Sequence, residues 1–469
     1  MKITQLADLL NGTISTNGIV DQVTGEKPVA AEDLSNLVDI GKAILDFTTD
    51  KTNFDSYIKD LIDQVGRIML VDRKYSSQAP NILMEGWEYG SIMEKVRCEV
   101  PDARDNATWD LFNYPQNGGD AYPDPFTLSK PDAKAKFYNS KATYEVPITI
   151  AEKQLKQAFQ SASQLSSFIS MIENRISMKM TLCNDALIMA TINNLIGQKL
   201  AKGHVVNLVS LYNALFASTP VTASSALTNK EFLRFASKTI AQYKKYLAVA
   251  STLYNESSDP GNPNATGGYI TFTPADKLKF IANTEFSKSL DAYLYSDTYH
   301  NEFVNLPGYE EVAFWQGTGT DNDNRLAIDV LIDNGQEDPV EISQDGVVAV
   351  MFDRDACAVC NENYRTTSIY NPRGEYFNYF YKFDAMYMND VLENVVVFIV
   401  SDYTPYTVLP DTKPADWDTK YAKNNSGYYI DVDGTLTQLT ASDASSGAGF
   451  DWDDYAGKQV FTVAAGITP

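Results

Sequence analysis

Between Gln164 and Gly197, apolar residues return at Leu165, Phe168, Ile169, Ile172, Ile176, Met180, Cys183, Leu187 and Ala190, the three-and-four spacing of one helical face. Ser166, Ser167, Glu173, Asn174, Ser177, Lys179 and Asn184 fall on the other side, which assigns that side to water or a polar partner. No proline interrupts the stretch, and Gly197 stands where a left-handed cap residue would end it. At about 1.5 Å per residue such a helix is roughly 50 Å long, about three times the common globular length. A helix like this fits the core of many large proteins, so the flanking sequence decides its meaning.

Upstream, residues 1–53 hold two short periodic stretches. One runs from Thr4 to Leu10 with Asn11-Gly12 as its stop, the other through Leu34, Leu37, Val38, Gly41, Ile44 and Leu45. Neither carries enough apolar area to fold alone, which predicts an arm lying on something else. Phe54 to Val65 is an amphipathic helix closed by Gly66, and Ile68 to Val71 reads as a strand. Ile92 to Val100 alternates as a strand after Met93. Pro101 to Pro131 is rich in Asp, Asn, Pro and Gly, and a return strand follows in Lys136–Asn139 and Thr143–Ile150. An excursion of this length in a compact domain is either functional or disordered. Ala151 to Phe159 is a short helix leading into the long one.

Downstream, His204–Val209 reads as a strand or as the first turn of a helix through Tyr212. Thr228-Asn-Lys-Glu231 matches a capping box ahead of a helix through Leu247. Ser257–Gly268 is a loop, Tyr269–Thr273 a strand, and Pro274 opens a helical region through Leu294. Strands follow at Val312–Trp315, Leu326–Ile332 and Val347–Phe352. In the stretch Ile369–Phe383, Phe377, Tyr379, Tyr381 and Phe383 alternate with Asn378, Phe380 and Lys382, so one strand face is continuously aromatic. Met386 to Val400 is expected to finish that sheet. Beyond Pro405 the composition turns to Asp, Thr, Ser and Gly, with a hairpin through Tyr428–Thr440 around Asp433-Gly434. Helices and strands in this order give an α+β chain, the tail being a small β appendage.

The 469 residues, 44% of them hydrophobic, suffice for two or three cores. The net charge of −23 argues against sequence-independent grip on nucleic acid, which needs a basic footprint. Tyrosine is frequent at 28 residues, which suits large contact surfaces. The N-terminal MKITQLADLLNG has no apolar core of signal-peptide length, and Val395–Val400, the most apolar run, is too short to span a bilayer. Four cysteines are not a secreted disulfide framework, so a reducing cytoplasm is the expected compartment of synthesis.

Candidate chemistry is sparse. Cys357-Ala-Val-Cys360 is the one motif that suits a redox dithiol or half a zinc site. Cys98 and Cys183 stand in unrelated elements without partners at suitable spacing, so inert thiols in or beside a strand are the leading reading. The alternatives that stay open are a cytoplasmic thiol-dependent enzyme using Cys357 and Cys360, and a surface binding protein. His204 and His300 lack hydrolase context, and Asp431–Gly434 and Asp321–Asn324 read as turns before cation sites. No catalytic residue, metal ligand or cofactor site is assigned.

Three stretches carry a likeness to a known family: Tyr57–Arg67; Lys136–Tyr138 with Gln154–Phe159 and Phe168–Asn174; and Tyr370-Asn-Pro-Arg-Gly-Glu-Tyr-Phe-Asn-Tyr-Phe-Tyr381. With the element order around them, the chain resembles the major capsid proteins of tailed bacteriophages, which adopt the Hong Kong 97 fold, and within them those of the phi-29-like short-tailed phages. The resemblance implies a structural, non-enzymatic protein of the virion. It implies an N-terminal arm at 1–53, a helix and strand of the peripheral domain at 54–84, an extended E-loop at 85–150, and the spine helix with peripheral domain at 151–204. An axial domain at 205–365, peripheral strands at 366–401 and a C-terminal β extension at 402–469 complete it. The implied partners are further copies of the chain, as pentamers and hexamers of an icosahedral or prolate shell. A scaffolding protein, portal and head-decoration proteins join them, the shell enclosing double-stranded DNA without specific binding and without a membrane. Assembly is expected in the bacterial host cytoplasm. Trp109, Phe112, Tyr114, Tyr122 and Phe126, with Leu111, are the expected E-loop anchors on a neighbouring subunit, Lys130, Lys134 and Lys136 fixing register. Asn371, Pro372, Arg373, Gly374, Tyr376, Tyr379 and Tyr381 form the family-like strand motif.

Overall fold

The computed structural model describes residues 3–16, 19, 21, 26–31, 35–40, 79–84, 92–98, 100, 133–151, 162–255, 270–294, 308–316, 325–333, 339–413, 427–432, 435–439 and 455–467. The expected helix Phe54–Val65, the strand Ile68–Val71, the segment Pro101–Pro131 and the turn Asp321–Asn324 lie outside them. The chain divides into two compact units, one of residues 1–87, 141–189 and 359–387, the other of 88–140, 190–358 and 388–469.

In the first unit, α1 (Ile3–Thr16) runs straight through the expected stop at Asn11-Gly12. Asn11 is committed elsewhere: its side chain accepts from Ala30 N at 2.6 Å and donates to Ala30 O at 3.1 Å, so the residue clamps a neighbouring segment. Ala7, Leu10 and Ile14 make the buried stripe. Strand β3 (Lys141–Ala151) pairs antiparallel with a long strand, Tyr376–Asn389, whose other neighbour is the strand Cys357–Asn371. Phe377, Tyr379, Tyr381 and Phe383 are all buried, as their alternation predicts. The opposite face carries ion pairs and hydroxyl contacts, among them Lys382–Glu145 at 3.0 Å and Thr149–Asn378 at 2.6 Å.

The long helix, α2 (Ala162–Ala201), exceeds the expected limits at both ends, and the division between the units falls within it after Met189. Gly197 does not end it. A β-carbon there would press on Val330 and Ile332, so the glycine serves close packing in the second unit, and Gly203, at φ 68°, takes the left-handed position instead. The amphipathic reading also fails beyond Asn184. Asn184, assigned to the wet face, is buried and accepts a 2.7 Å bond from Asn361, whereas Ala190, assigned to the apolar face, is exposed. From Leu187 onward the helix is apolar on more than one side, with Ile188, Ile192, Leu195, Ile196 and Leu200 all buried, so no single stripe describes it.

In the second unit, strands β4 (Val205–Asn207), β5 (Leu278–Asn283), β6 (Glu310–Val312), β9 (Val347–Asp353) and β12 (Val395–Ile399) form one mixed sheet in the order β4-β12-β9-β5-β6. Both readings of 204–209 hold in part, because β4 passes directly into α3 (Leu208–Leu215) through Asn207, whose side chain caps it by accepting from Val209 N and Ser210 N. Helix α4 (Lys230–Leu247) is capped by Asn229, one residue after the expected Thr228, through bonds from Glu231 N and Phe232 N. The region after Pro274 is not one helix: Pro274 O closes a single turn on Lys277 and Leu278, pairing with β9 then draws 278–283 into a strand, and α5 spans Thr284–Leu294. Tyr269–Thr273 contributes an isolated bridge, Ser251–Thr271, where a strand is expected, and β6 ends before Trp315. The core gathers Leu208, Tyr212, Phe232, Ile240, Phe286, Met351 and Phe398.

Val395–Ile399 is buried at every position, but it pairs with β9 and β4 and does not finish the aromatic sheet. Strands β7 (Ile328–Ile332) and β8 (Val340–Gln344) make a ribbon. The tail folds as a four-stranded sheet, β13 (Tyr403–Val408), β16 (Gln459–Val463), β14 (Tyr428–Val432) and β15 (Thr435–Gln438), around Leu409, Ile430, Leu439 and Val460. With helices and strands interspersed, the fold class is α+β.

Candidate assembly site

The excursion after Val100 springs from a two-stranded stem. Strand β1 (Met93–Cys98) pairs antiparallel with β2 (Ala133–Tyr138), and Lys141–Ala151 belongs to another sheet, so the expected return strand is two separate strands. Residues alternate across the stem, as they must in any ribbon. Met93, Lys95 and Arg97 face inward, with Tyr138 and Lys136 opposite the first two, whereas Glu94, Val96 and Cys98 face outward, opposite Phe137, Ala135 and Ala133.

The inward face is held by charge. Asp390, its carboxylate fully buried, receives Lys95 Nζ at 2.9 Å, the Arg97 guanidinium, and Lys136 Nζ at 3.5 Å. Glu393 receives Lys95 and Arg97, both at 2.7 Å, and Lys95 also donates to Asp355 O at 2.9 Å. Burial opposes ionisation of Asp390, but the surrounding Lys95, Arg97 and Lys136 charges outweigh it and hold the carboxyl below its usual range. Tyr138 is pushed the other way, first by burial and then by the Asp390 charge, so its hydroxyl stays protonated. Lys136, expected to meet a neighbour's acidic surface, is thus engaged within its own chain and also lies 5.1 Å over the Tyr138 ring. Nothing in the sequence singles out Asp390 and Glu393; the period-two spacing of Lys95 and Arg97 places two cations on one strand face but does not say what they meet.

The family-like motif forms the hairpin between β10 (Cys357–Asn371) and β11 (Tyr376–Asn389). Asn371 Oδ1 accepts from Arg373 N at 3.0 Å and Gly374 N at 3.3 Å, and its amide donates to Tyr376 OH at 2.7 Å. A β-carbon at Gly374 would overlap the Tyr376 ring, and Glu375 takes the left-handed conformation at φ 53°. Pro372 and Arg373 are left exposed at the tip, and Tyr379 and Tyr381 sit in the buried aromatic row below. The motif is therefore one turn and the strand that anchors it.

Cys357 and Cys360 are both buried in β10 as free thiols, and burial pushes the Cys357 thiol up, away from the thiolate that redox or nucleophilic chemistry needs. Among the described residues, no three His, Cys, Asp or Glu side chains are grouped to hold a metal ion. Asp431 and Val432 belong to a strand paired with Thr435–Gln438, the hairpin expected there. Trp109, Leu111, Phe112, Tyr114, Tyr122, Phe126 and Lys130 lie outside the described residues, as does the Lys134 side chain.

Comparison with known proteins gives one consistent result. The major capsid protein of Bacillus phage GA-1 is 22% identical over 396 residues, 83% of this chain and 70% of that protein. The major capsid protein of Bacillus phage B103 is 22% identical over 424 residues, 90% and 79% of the respective chains. Among solved structures, a chain from the head fiber and inner core protein structure of native bacteriophage P68 overlays with a TM-score of 0.44 at 12% identity, covering 68% of this chain and 83% of that one. A chain of the Staphylococcus phage Andhra capsid gives 0.41 at 13% identity, covering 71% and 86%. The family of Phi29-like phage major capsid proteins matches residues 16–399, and the chain therefore belongs to that family, as a structural major capsid protein of a tailed phage.

Proposed function

We propose that the chain assembles as pentamers and hexamers into a closed icosahedral or prolate head. In this reading residues 85–150 act as the E-loop, 151–204 and 366–401 as the spine and peripheral strands, 205–365 as the axial domain, and 402–469 as an extension. The observation that carries it is the two-faced stem. Its inward face is tied down by Asp390 and Glu393, and its outward face presents Ile92, Val96, Val100 and Phe137, each at least 60% exposed. A monomer gains nothing by leaving that row bare, whereas a neighbouring copy covers it. Trp109, Phe112, Tyr114, Tyr122 and Phe126 extend the same contact as aromatic anchors.

A scaffolding protein, a portal and head-decoration proteins complete the assembly, which takes place in the host cytoplasm. The acidic chain encloses double-stranded DNA without gripping it, because a net charge of −23 repels phosphates and lets packaged DNA slide. Light scattering and electron microscopy of the purified protein test the reading. Capsomers or megadalton shells are expected, and a protein that stays monomeric at high concentration and in the presence of its scaffold overturns it.

A further inference from the structure

Helix α4 is basic in an acidic protein. It holds five cations, Lys230, Arg234, Lys238, Lys244 and Lys245, against one acid, Glu231, while the whole chain has 61 acidic and 38 basic residues. Phe232, Leu233, Ala236, Ile240 and Leu247 turn one side of the helix into the core. At about 100° per residue, Lys230, Arg234, Lys238 and Lys245 all fall within roughly 80° on the other side, and all four are exposed. They form a cationic stripe about 22 Å long. Arg234 pairs locally, with Glu231 at 3.0 Å on the same helix.

The stripe does not end in water-loving surface. Tyr246 follows it at 48% exposure, then Val249 at 64% and Leu253 at 78%. The Ser251–Thr271 bridge, with bonds of 3.0 and 3.2 Å, brings Ile270 and Phe272, each more than half exposed, beside them. Five large exposed apolar side chains on two segments joined by one bridge mark an interaction surface, and cations along its rim set orientation and approach.

We propose that this composite surface is a docking site for a second copy of the chain, the cationic stripe meeting acidic surface and the apolar cluster being covered. Charge complementarity selects the occupant, since every other copy carries 61 acidic residues against 38 basic ones. The apolar cluster favours protein over DNA, because phosphates pair with the stripe but leave Val249, Leu253, Ile270 and Phe272 in water. The proposal rests on the shell-forming reading and adds a second surface to it, distinct from the E-loop stem.

The test uses the full chain. Natural and nitrogen-15-labelled protein are assembled together, treated with a carbodiimide that joins amines to carboxyls, and digested for mass spectrometry. Lys238 and Lys245 are expected in mixed-isotope pairs with Asp or Glu; same-isotope pairs alone overturn the proposal. In parallel, an R234E/K238E/K245E variant and an L253S/F272S variant are expected to keep parental circular dichroism and to lose assembly about tenfold or more. Equal assembly of wild type and both variants sinks this surface and leaves the shell reading standing, whereas a wild type that never assembles sinks both. Salt-dependent binding of a DNA duplex that the charge variant abolishes, with assembly intact, reassigns the stripe to DNA and overturns the proposal.

Discussion

Asn371 shows how much of a conspicuous motif one side chain can organise: its oxygen closes the turn on Arg373 and Gly374, and its amide fixes the Tyr376 hydroxyl. Replacing Asn371 with Ala is expected to cost about 1 kcal/mol, since the Tyr376 hydroxyl and the backbone amides, partly exposed, recover some bonding from water. Gly374→Ala should cost about 1–2 kcal/mol, because the Tyr376 ring must move to admit the methyl group. Urea unfolding of both variants checks this, with an unchanged midpoint for either counting against the assigned role. The thiols give a sharper residue-scale test. Cys357 and Cys360 are buried and Cys98 is exposed, so a thiol reagent should label Cys98 in the native protein and the pair only on unfolding. Replacing Cys357 and Cys360 together with Ala should leave assembly intact at about 1–3 kcal/mol per subunit. Rapid native labelling of Cys357 would revive the enzyme alternative.

Elements in this chain are fixed as much by long-range pairing as by local signals, and the stem shows it best. Lys95 and Arg97 acquire their positions from Asp390 and Glu393, nearly 300 residues away. Because the folded-state pKa of Asp390 is depressed, its contribution is complete above the usual carboxylate value of about 4 and is lost as pH falls through the lower folded value. Below that, Lys95, Arg97 and Lys136 repel one another around a neutral carboxyl. Stability followed from neutral pH into acid should therefore fall steeply in the parent and less steeply in Asp390→Asn. That variant should itself be about 3–5 kcal/mol less stable at neutral pH; a parallel pH profile would show that Asp390 is not the group involved. The same contrast explains what the sequence could disclose. Period-two alternation exposed the aromatic row Phe377–Phe383 and the stem strand, because there the pattern reports burial directly, whereas period 3.6 located the long helix although its stripe does not hold beyond Asn184. Leu278–Asn283 misled because its strand is imposed by β9, Asn11 because its amide serves Ala30, and Gly197 because its space is taken by Val330. Asp390 was invisible for a related reason: nothing adjacent to it in the chain announces partners so remote.

At the scale of the whole molecule, folding and assembly are expected to be separable. The stem itself is tied to Asp390 and Glu393 by β1 and by Lys136, all outside that segment. A Gly-Ser linker replacing Asp102 to Pro131 keeps both stem strands and the ion pairs that hold them. The expected product is a folded subunit with near-parental circular dichroism and urea midpoint that forms no closed shells. Trp109, Phe112, Tyr114, Tyr122 and Phe126 leave with the segment, so five single Ala variants in the intact chain apportion the effect. At least one or two of them should weaken assembly by 2 kcal/mol or more, as about that much is typical of an aromatic anchor at the centre of an interface. If the shortened chain still closes into particles of parental size, assembly does not reside in this loop and the stem's exposed face has another use.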